Sequence, residues 1–163
     1  MLPGMKPRSG RRRAPWVRVA RLGLAHWFFG NAYEAVVDVP RLLADAQPRR
    51  APRLLAAGSP VRYYAPVAPV TLAATAATLA DGWRFGDRRR VATAGAAVVS
   101  AVGLTGYLVL TTNRRLLQSP EPLAEAERRV LVARWHRVNL VRLAALTVAA
   151  AALRQATTPG RAT

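Results

Sequence analysis

The sequence predicts an all-α fold, an integral membrane four-helix bundle in which each helix crosses the bilayer. Two observations carry this prediction: long stretches without a charged residue, and arginines concentrated between those stretches. The chain has 163 residues, of which 52% are hydrophobic, and its formal charge of +17 comes from 25 lysines and arginines against 8 acidic residues. A chain of this length fits one domain.

Four stretches are the predicted spans. Residues 63–80 and 91–112 carry no charge, and each can cross a bilayer core of about 30 Å because a helix rises about 1.5 Å per residue. The stretch between Arg21 and Arg41 is apolar apart from a few polar positions, and residues 127–153 end in an apolar run. We therefore expect four crossings.

A soluble, alanine-rich helical bundle is the main alternative. Each of its helices would carry a polar stripe facing water, whereas the polar side chains of residues 91–112 are all hydroxyls. Membrane helices accommodate hydroxyls by bonding them to the backbone or to neighbouring helices. The length of the apolar stretches thus favours the membrane bundle.

The chain divides into three predicted parts. Residues 1–18 form a basic, disordered arm, residues 19–154 the four-span bundle, and residues 155–163 a C-terminal tail. An even number of spans places both termini on one side, and that side carries more Lys and Arg than the other. The positive-inside rule then predicts a multi-pass protein of the cell membrane with both termini cytoplasmic.

The arginine runs at residues 11–13 and 88–90 raise the question of a nucleic-acid partner. Clustered cations neutralise phosphates in nucleic-acid-binding proteins. Beside predicted spans, however, such clusters are better interpreted as contacts with anionic lipid headgroups. The predicted partner is the lipid bilayer and no nucleic acid, and a homo-oligomer is compatible with the sequence.

The first predicted span contains polar side chains at helical spacing. Asn31, Glu34 and Asp38 share one face, and His26 and Tyr33 form a row beside it. A charged residue at the centre of a membrane helix costs about 2.5–3.5 kcal/mol, so such residues normally face the bundle interior. These side chains are predicted to form a polar wedge between the helices.

The fourth predicted span repeats the pattern. Trp135, Asn139 and Arg142 form one stripe, with His136 on its flank. Glu34 is expected to pair with Arg142 through two parallel hydrogen bonds, because either charge alone would be very unfavourable there. Two interpretations remain open: the wedge fixes the register of the helices, or it lines a small cavity. Ionisable residues inside a membrane favour a functional site.

A metal site and cysteine-based chemistry are two further possibilities for these residues. His26, Glu34 and His136 would offer a metal two imidazoles and a carboxylate, but no close ligand spacing such as His-x-x-x-His supports a metal site. The chain contains no cysteine, which excludes a disulfide, a thiol nucleophile and an iron–sulfur site. No metal is predicted.

Two short motifs accompany the four apolar spans: Asn113-Arg114-Arg115-Leu116-Leu117 follows the third span, and Trp135-x-x-x-Asn139-x-x-Arg142 lies in the fourth. This pattern resembles the anthrone oxygenase-like family of small membrane proteins. The elements Gly30-Asn31-x-Tyr33-Glu34 and Ser59-Pro60-x-x-Tyr63 are similar to those of a bacterial branch of such proteins. The resemblance covers most of residues 20–153.

The resemblance implies a cofactor-independent oxygenase that acts on a polycyclic aromatic such as an anthrone, often in polyketide biosynthesis. Oxygenation without a metal needs a base that removes an acidic ring proton, and His26 and His136 are the candidates. Arg142 or Asn139 would stabilise the developing oxyanion. The partner implied is a lipophilic small-molecule substrate taken from the bilayer, with no cofactor.

The expected site residues fall into two groups. The catalytic group is His26, Glu34, His136 and Arg142. The substrate-binding group is Asn31, Tyr33, Tyr63, Asn113, Trp135 and Asn139. A non-catalytic membrane protein that binds a lipid, a quinone or a partner helix through the same wedge is the alternative, so the sequence leaves open whether the protein is an enzyme.

Overall fold

The computed structural model describes residues 15–45, 60–119 and 121–156, and all regular secondary structure in these ranges is helical. Most of the predicted arm and tail, and most of the first loop, lie outside the described residues. The helices are α1 Pro15–Val36, α2 Val39–Asp45, α3 Pro60–Tyr64, α4 Ala68–Phe85, α5 Arg88–Tyr107, a π-helical segment Leu108–Asn113, α6 Arg114–Gln118 and α7 Glu125–Ala156. The all-α prediction is confirmed for the described residues.

Helices α1 and α4 lie side by side and run in opposite directions. At one end Trp16 Nε1 donates a hydrogen bond to Asp81 Oδ2 at 3.0 Å, and at the other end the Tyr64 side chain packs against Gly30. Between these points a Cβ atom at Gly23 would overlap the side chain of Thr71. The absence of a side chain at Gly23 therefore lets the two helices approach closely.

Helices α5 and α7 also pack as antiparallel neighbours. Arg142 Nη1 donates to Thr105 Oγ1 at 3.3 Å, and the backbone at Gly86, just before α5, lies close to the carbonyl of Ala156 at the end of α7. A tight turn at Gly86 and Asp87 joins α4 to α5, and Asp87 Oδ1 caps α5 by accepting from the Arg89 amide at 2.9 Å. Satisfying free amides in this way stabilises the start of a helix.

The core of this arrangement is built from small and branched side chains. Alanines at positions 20, 74, 94, 97, 101, 149 and 152 are buried together with Leu24, Val98, Leu146 and Leu153. Alanine keeps helix axes close, and close approach strengthens van der Waals contact between helices in a membrane. The high alanine content of the sequence therefore reflects helix packing.

Several polar residues are buried in this core, and many large apolar side chains are exposed. Buried polar residues are Asn31, Thr71, Thr75, Thr78, Thr112, Asn139 and Arg142, whereas large apolar side chains such as Leu22, Phe29, Val99, Leu110 and Leu140 are each about 70% exposed. Large exposed apolar surface marks contact with a membrane or another protein. The outer surface of the helices is suited to lipid.

Two helices in the described ranges are long and apolar enough to cross a membrane by length and composition. They are Arg88–Leu116, which comprises α5, the π-helical segment and most of α6, and Glu125–Ala156, which is α7. The first two predicted spans fall on α1 and α4, whose apolar runs are interrupted by Arg18, Arg21 and Asp81. Four crossings therefore stay a prediction.

Helix α5 continues without a break into the π-helical segment Leu108–Asn113. There the Arg114 amide bonds to the Val109 carbonyl, five residues back, which is one residue more than in an α-helix. Such segments widen a helix locally and are frequent at functional sites. In this structure the segment contributes Val109 and Asn113 to the lining of a cavity between the helices.

Candidate functional site

A cavity of about 340 Å³ opens between α1, the start of α4, the end of α5 and α7. It lies at the end of the helices opposite the Gly86 turn, and its walls are mostly apolar. Its volume falls in the range of about 300–1,000 Å³ that is typical of small-molecule sites. Residues from α1, α3, α4, α5, the π-helical segment and α7 contribute the few polar groups that line it.

Arg142 forms the polar wall on α7 and is only 5% exposed. Its Nη2 and Nε atoms donate to Asn139 Oδ1 at 2.6 and 3.1 Å. Asn139 in turn donates from Nδ2 to the backbone carbonyl of Asn31 at 3.1 Å. This chain of hydrogen bonds fixes the guanidinium on the wall of the cavity and joins α7 to α1.

The predicted direct pair between Glu34 and Arg142 is wrong. Both side chains line the cavity and are close enough to interact electrostatically, but the structure forms no ion pair between these two described residues. Asn139 lies one helical turn before Arg142 and presents its amide oxygen to the guanidinium, so the arginine's donors are satisfied from its own helix and from Thr105. Glu34 is therefore left on the cavity wall as a separate group.

His26 contributes an imidazole from α1. The residue lines the cavity, and its Nε2 atom is buried without a hydrogen-bond partner among the described residues. The ring is held by aromatic neighbours, with centroid distances of 5.2 Å to Tyr63 and 6.0 Å to Tyr64. Contacts of this kind stabilise ring pairs, so His26 is fixed in place with one ring nitrogen that forms no hydrogen bond to the described residues.

His136, the other predicted base, lies outside the cavity. Its Nε2 atom lies 2.9 Å from Asp38 Oδ1 at the turn between α1 and α2. Asp38 has a positive φ of 53°, a conformation that aspartate tolerates better than most residues. Because adjacent residues on a helix point about 100° apart, Trp135 faces the cavity while His136 faces this turn. In this structure His136 therefore links α7 to the turn that follows α1.

The remaining predicted site residues take three kinds of position. Asn31, Asn113 and Trp135 line the cavity together with His26, Glu34 and Arg142. Asn139 lies behind the wall and holds Arg142. Tyr33 is 67% exposed, and Tyr63 lies outside the lining, where its ring contacts those of His26 and Tyr64. The structure thus brings six of the ten predicted residues to one cavity, while the role of each stays a prediction.

Sequence reasoning missed Tyr64 and Thr105. Tyr64 lines the cavity, and a Cβ at Gly30 would overlap its hydroxyl group, so the glycine of the Gly30-Asn31 element makes room for this tyrosine. Thr105 donates to the Ala101 carbonyl at 2.8 Å and accepts from Arg142. In the sequence, Thr105 differs from its apolar neighbours only by its hydroxyl group. Hydroxyl residues are common in membrane helices, so this feature alone does not indicate a site residue.

The three residues weighed as a metal site do not meet. His26 and Glu34 line the cavity, but His136 is directed towards Asp38. Over residues 15–45, 60–119 and 121–156, no three histidine, aspartate or glutamate side chains come together in a way that could hold a metal ion. These residues provide no metal-ligand cluster within that part of the chain.

Comparison with known proteins gives one family. The family model described as anthrone oxygenase matches residues 60–152, more than half of the chain. This range contains α3 to α5 and most of α7, including Tyr64, Thr105, Asn113, Trp135 and Arg142. The search of curated proteins and the search of solved structures each returned no match.

Proposed function

Because the chain belongs to the anthrone oxygenase family, we propose that it is a membrane-embedded oxygenase for lipophilic aromatic substrates of the anthrone type. The observation that carries the proposal is the cavity. It joins an imidazole whose Nε2 is unpartnered within the described part of the chain to a buried guanidinium, inside mostly apolar walls. A base, a cation and an apolar enclosure are what metal-free oxygenation of such a substrate requires.

The reaction begins with proton transfer to His26. An anthrone carries an acidic methylene group opposite a ketone, and removal of one proton gives a carbanion whose charge spreads onto the ketone oxygen. Histidine is suited to this step because its ordinary pKa is near neutrality. Arg142 supplies positive charge to the oxygen that becomes negative, and low polarity strengthens that interaction.

Dioxygen is the electron acceptor in the next steps. The carbanion transfers an electron to dioxygen and the resulting radicals combine, so a carbon–oxygen bond forms; the proton held by His26 then gives the hydroperoxide. His26 removes the second methylene proton while the oxygen–oxygen bond breaks. One oxygen atom ends in the new carbonyl, and the other leaves with that proton as water. The substrate supplies all four electrons, so the reaction needs no further reductant.

The aromatic content of the cavity supports a planar substrate. Trp27, Trp135, Tyr64 and His26 all contribute to its lining. Aromatic rings pack against one another in stacked or edge-to-face arrangements that add to the stabilisation from buried area. A fused-ring aromatic therefore fits this lining better than a flexible acyl chain does.

A bilayer setting for this enzyme is supported by the positions of arginines on the two longest helices. On α5 and its continuation the apolar stretch lies between Arg90 and Arg114, and on α7 the exposed apolar side chains Leu140, Val141 and Val148 lie between Arg137 and Arg154. Because α5 and α7 are antiparallel, these arginines form two levels, one at each end of the helices. Arginines at both levels can contact lipid headgroups. We propose four crossings, with α1 and α4 as the other two.

We expect reporter fusions to show both termini on the cytoplasmic side. A fusion at Gly86, in the turn between α4 and α5, and one at Gln155, near the end of α7, should report the cytoplasm, whereas a fusion at Ser119 should report the opposite side. The paired reporters would be alkaline phosphatase, active outside, and a fluorescent protein that folds inside. A cytoplasmic signal at Ser119 would contradict the proposed topology.

Filling the cavity should abolish turnover without unfolding the protein. A Cβ at Gly106 meets no other atom within 4 Å, and Gly106 lines the cavity. The indole of Gly106→Trp would therefore occupy substrate space. We expect turnover to fall at least about tenfold, since displacing the substrate should cost more than about 1.4 kcal/mol of binding free energy. The measurement is oxygen uptake with anthrone.

Gly103→Trp is the matched control. Gly103 lies one turn earlier on α5, and a Cβ there also meets nothing within 4 Å, but this glycine is exposed outside the cavity lining. Its variant carries the same added bulk into the proposed lipid surface, so activity should stay near that of the wild type. Equal loss of turnover in both variants would indicate that the added bulk disturbs α5. It would contradict the cavity as the substrate-binding site.

A further inference from the structure

The cavity contains a second buried polar atom that the proposed chemistry does not use. Across the described ranges, three buried side-chain atoms have no hydrogen-bond partner: His26 Nε2, Tyr64 OH and Thr75 Oγ1. Two of them, on His26 and Tyr64, belong to residues that line the cavity. Burying a hydroxyl group without a partner is unfavourable, so each such group on a cavity wall indicates a position where a ligand atom can complete the hydrogen bond.

Tyr64 is held in its position from several directions. Gly30 leaves the space that the hydroxyl occupies. The ring lies edge-to-face with Tyr63 at a centroid distance of 5.0 Å and with His26 at 6.0 Å. Glu34 is near enough to the hydroxyl to be a long hydrogen-bond partner, and Arg142 acts on it electrostatically, but neither makes a hydrogen bond of normal geometry with it. A group fixed in this way can select for a ligand atom at one place.

The two side chains are neighbours. The His26 and Tyr64 rings are in contact, and both residues line the cavity. A ligand in the cavity therefore lies beside both side chains. His26 Nε2 can accept a proton and the Tyr64 hydroxyl can donate one, so together they match a ligand that carries an oxygen substituent beside an acidic position.

We propose that Tyr64 is a specificity-determining residue: its hydroxyl donates a hydrogen bond to a ring-bound oxygen of the ligand and thereby places the ligand beside His26. The ligand class is a fused-ring aromatic that carries a ketone or phenol oxygen, in preference to a bare hydrocarbon of the same size. This inference rests on the proposed function and names the residue that positions its substrate.

A binding cycle with two ligands tests this hydrogen bond. The full-length protein and its Tyr64→Phe variant, each in lipid nanodiscs under argon, are titrated with anthrone and with anthracene, which lacks the oxygen. Quenching of tryptophan fluorescence reports binding, since Trp27 and Trp135 line the cavity. Each ligand is compared between the two proteins, so its partitioning into lipid cancels. The argon atmosphere prevents turnover.

We expect Tyr64→Phe to weaken anthrone binding by about threefold to tenfold, the usual scale for one neutral hydrogen bond, and to leave anthracene binding unchanged. The variant should keep the thermal midpoint of the unliganded protein, because the hydroxyl has no partner within the described residues. Tyr63→Phe is the control: Tyr63 also contacts His26 but is 59% exposed and absent from the cavity lining. It should change neither affinity.

Other outcomes would overturn the inference. Equal weakening of both ligands, or a lowered midpoint without ligand, would make Tyr64 a packing residue. Unchanged anthrone affinity, or no binding of anthrone by the wild-type protein, would show that its hydroxyl does not contact the ligand. Failure of the proposed function is a separate result: selective binding that depends on Tyr64, without oxygen uptake in air, would leave this site as a binding site and remove the oxygenase.

Discussion

Replacing Arg142 by methionine is expected to lower the free energy of unfolding by about 2–4 kcal/mol, because a buried charged group takes part in hydrogen bonds that the variant leaves unmade. The variant loses three hydrogen bonds: the two that Asn139 Oδ1 accepts from the guanidinium and the one that Thr105 Oγ1 accepts from it. Methionine preserves most of the apolar volume of the arginine stem, so the loss reports on the guanidinium. Denaturant or SDS titration in detergent would measure it.

Arg137→Met is the matched control for this prediction. Arg137 lies on the same helix, is exposed, and makes only a long contact of 3.4 Å with the Ala133 carbonyl. Substitutions at such positions usually change stability by less than about 0.5 kcal/mol. A loss at Arg142 no larger than that at Arg137 would mean that the hydrogen-bond chain from Arg142 through Asn139 to Asn31 does not hold the helices together.

The absence of a direct pair between Glu34 and Arg142 changes what a double substitution should do. In the Arg142→Met background, Glu34→Gln removes the uncompensated negative charge but leaves Asn139 without its donors. We therefore expect the double variant to recover only part of the stability that Arg142→Met loses. If the two charges formed a direct ion pair, the double variant would recover nearly all of it. Full recovery would indicate that the two charges pair directly.

Replacing His26 is expected to lower turnover by about a hundredfold or more, the usual scale for loss of a positioned general base. His26→Phe is the preferred variant, because phenylalanine keeps the aromatic contacts to Tyr63 and Tyr64 and removes only the imidazole nitrogens. Nε2 has no hydrogen bond to lose within the described residues. The thermal midpoint should therefore stay near that of the wild type.

His136→Phe provides the contrasting result. This substitution removes the contact to Asp38 and should lower stability by about 1 kcal/mol, the net worth of one hydrogen bond. Turnover should remain near the wild-type value, because His136 faces away from the cavity. A large loss of turnover at His136 with His26→Phe fully active would reverse the assignment of the base.

Much of the helical arrangement could be predicted because apolar length and helical spacing are local properties of the sequence. The stripe of Trp135, Asn139 and Arg142 is one such case: its side chains lie on one buried face of α7, as the spacing requires. Spacing also placed Asn31 and Glu34 near each other on α1. These features depend only on the geometry of one helix.

Contacts between helices could not be read in the same way. The choice between His26 and His136 depends on the rotation of α1 and α7 relative to each other, and only packing determines that rotation. Tyr64 was missed because its place in the site comes from α1: Gly30 is the residue that admits its ring. The predicted Glu34–Arg142 pair does not form because Asn139, on the same helix as the arginine, accepts its hydrogen bonds instead.

The most direct test of the account is oxygen uptake by the purified protein with anthrone and isotopically labelled dioxygen, in the presence of a metal chelator. Metal-free oxygenation at this cavity predicts one labelled oxygen atom in the quinone product and the other in water, with a rate that resists the chelator and is lost in His26→Phe. Activity that disappears with the chelator would contradict the metal-free mechanism. No oxygen consumption across a panel of anthrone-like phenols would contradict the oxygenase and leave the cavity as a binding site for a lipid or a quinone.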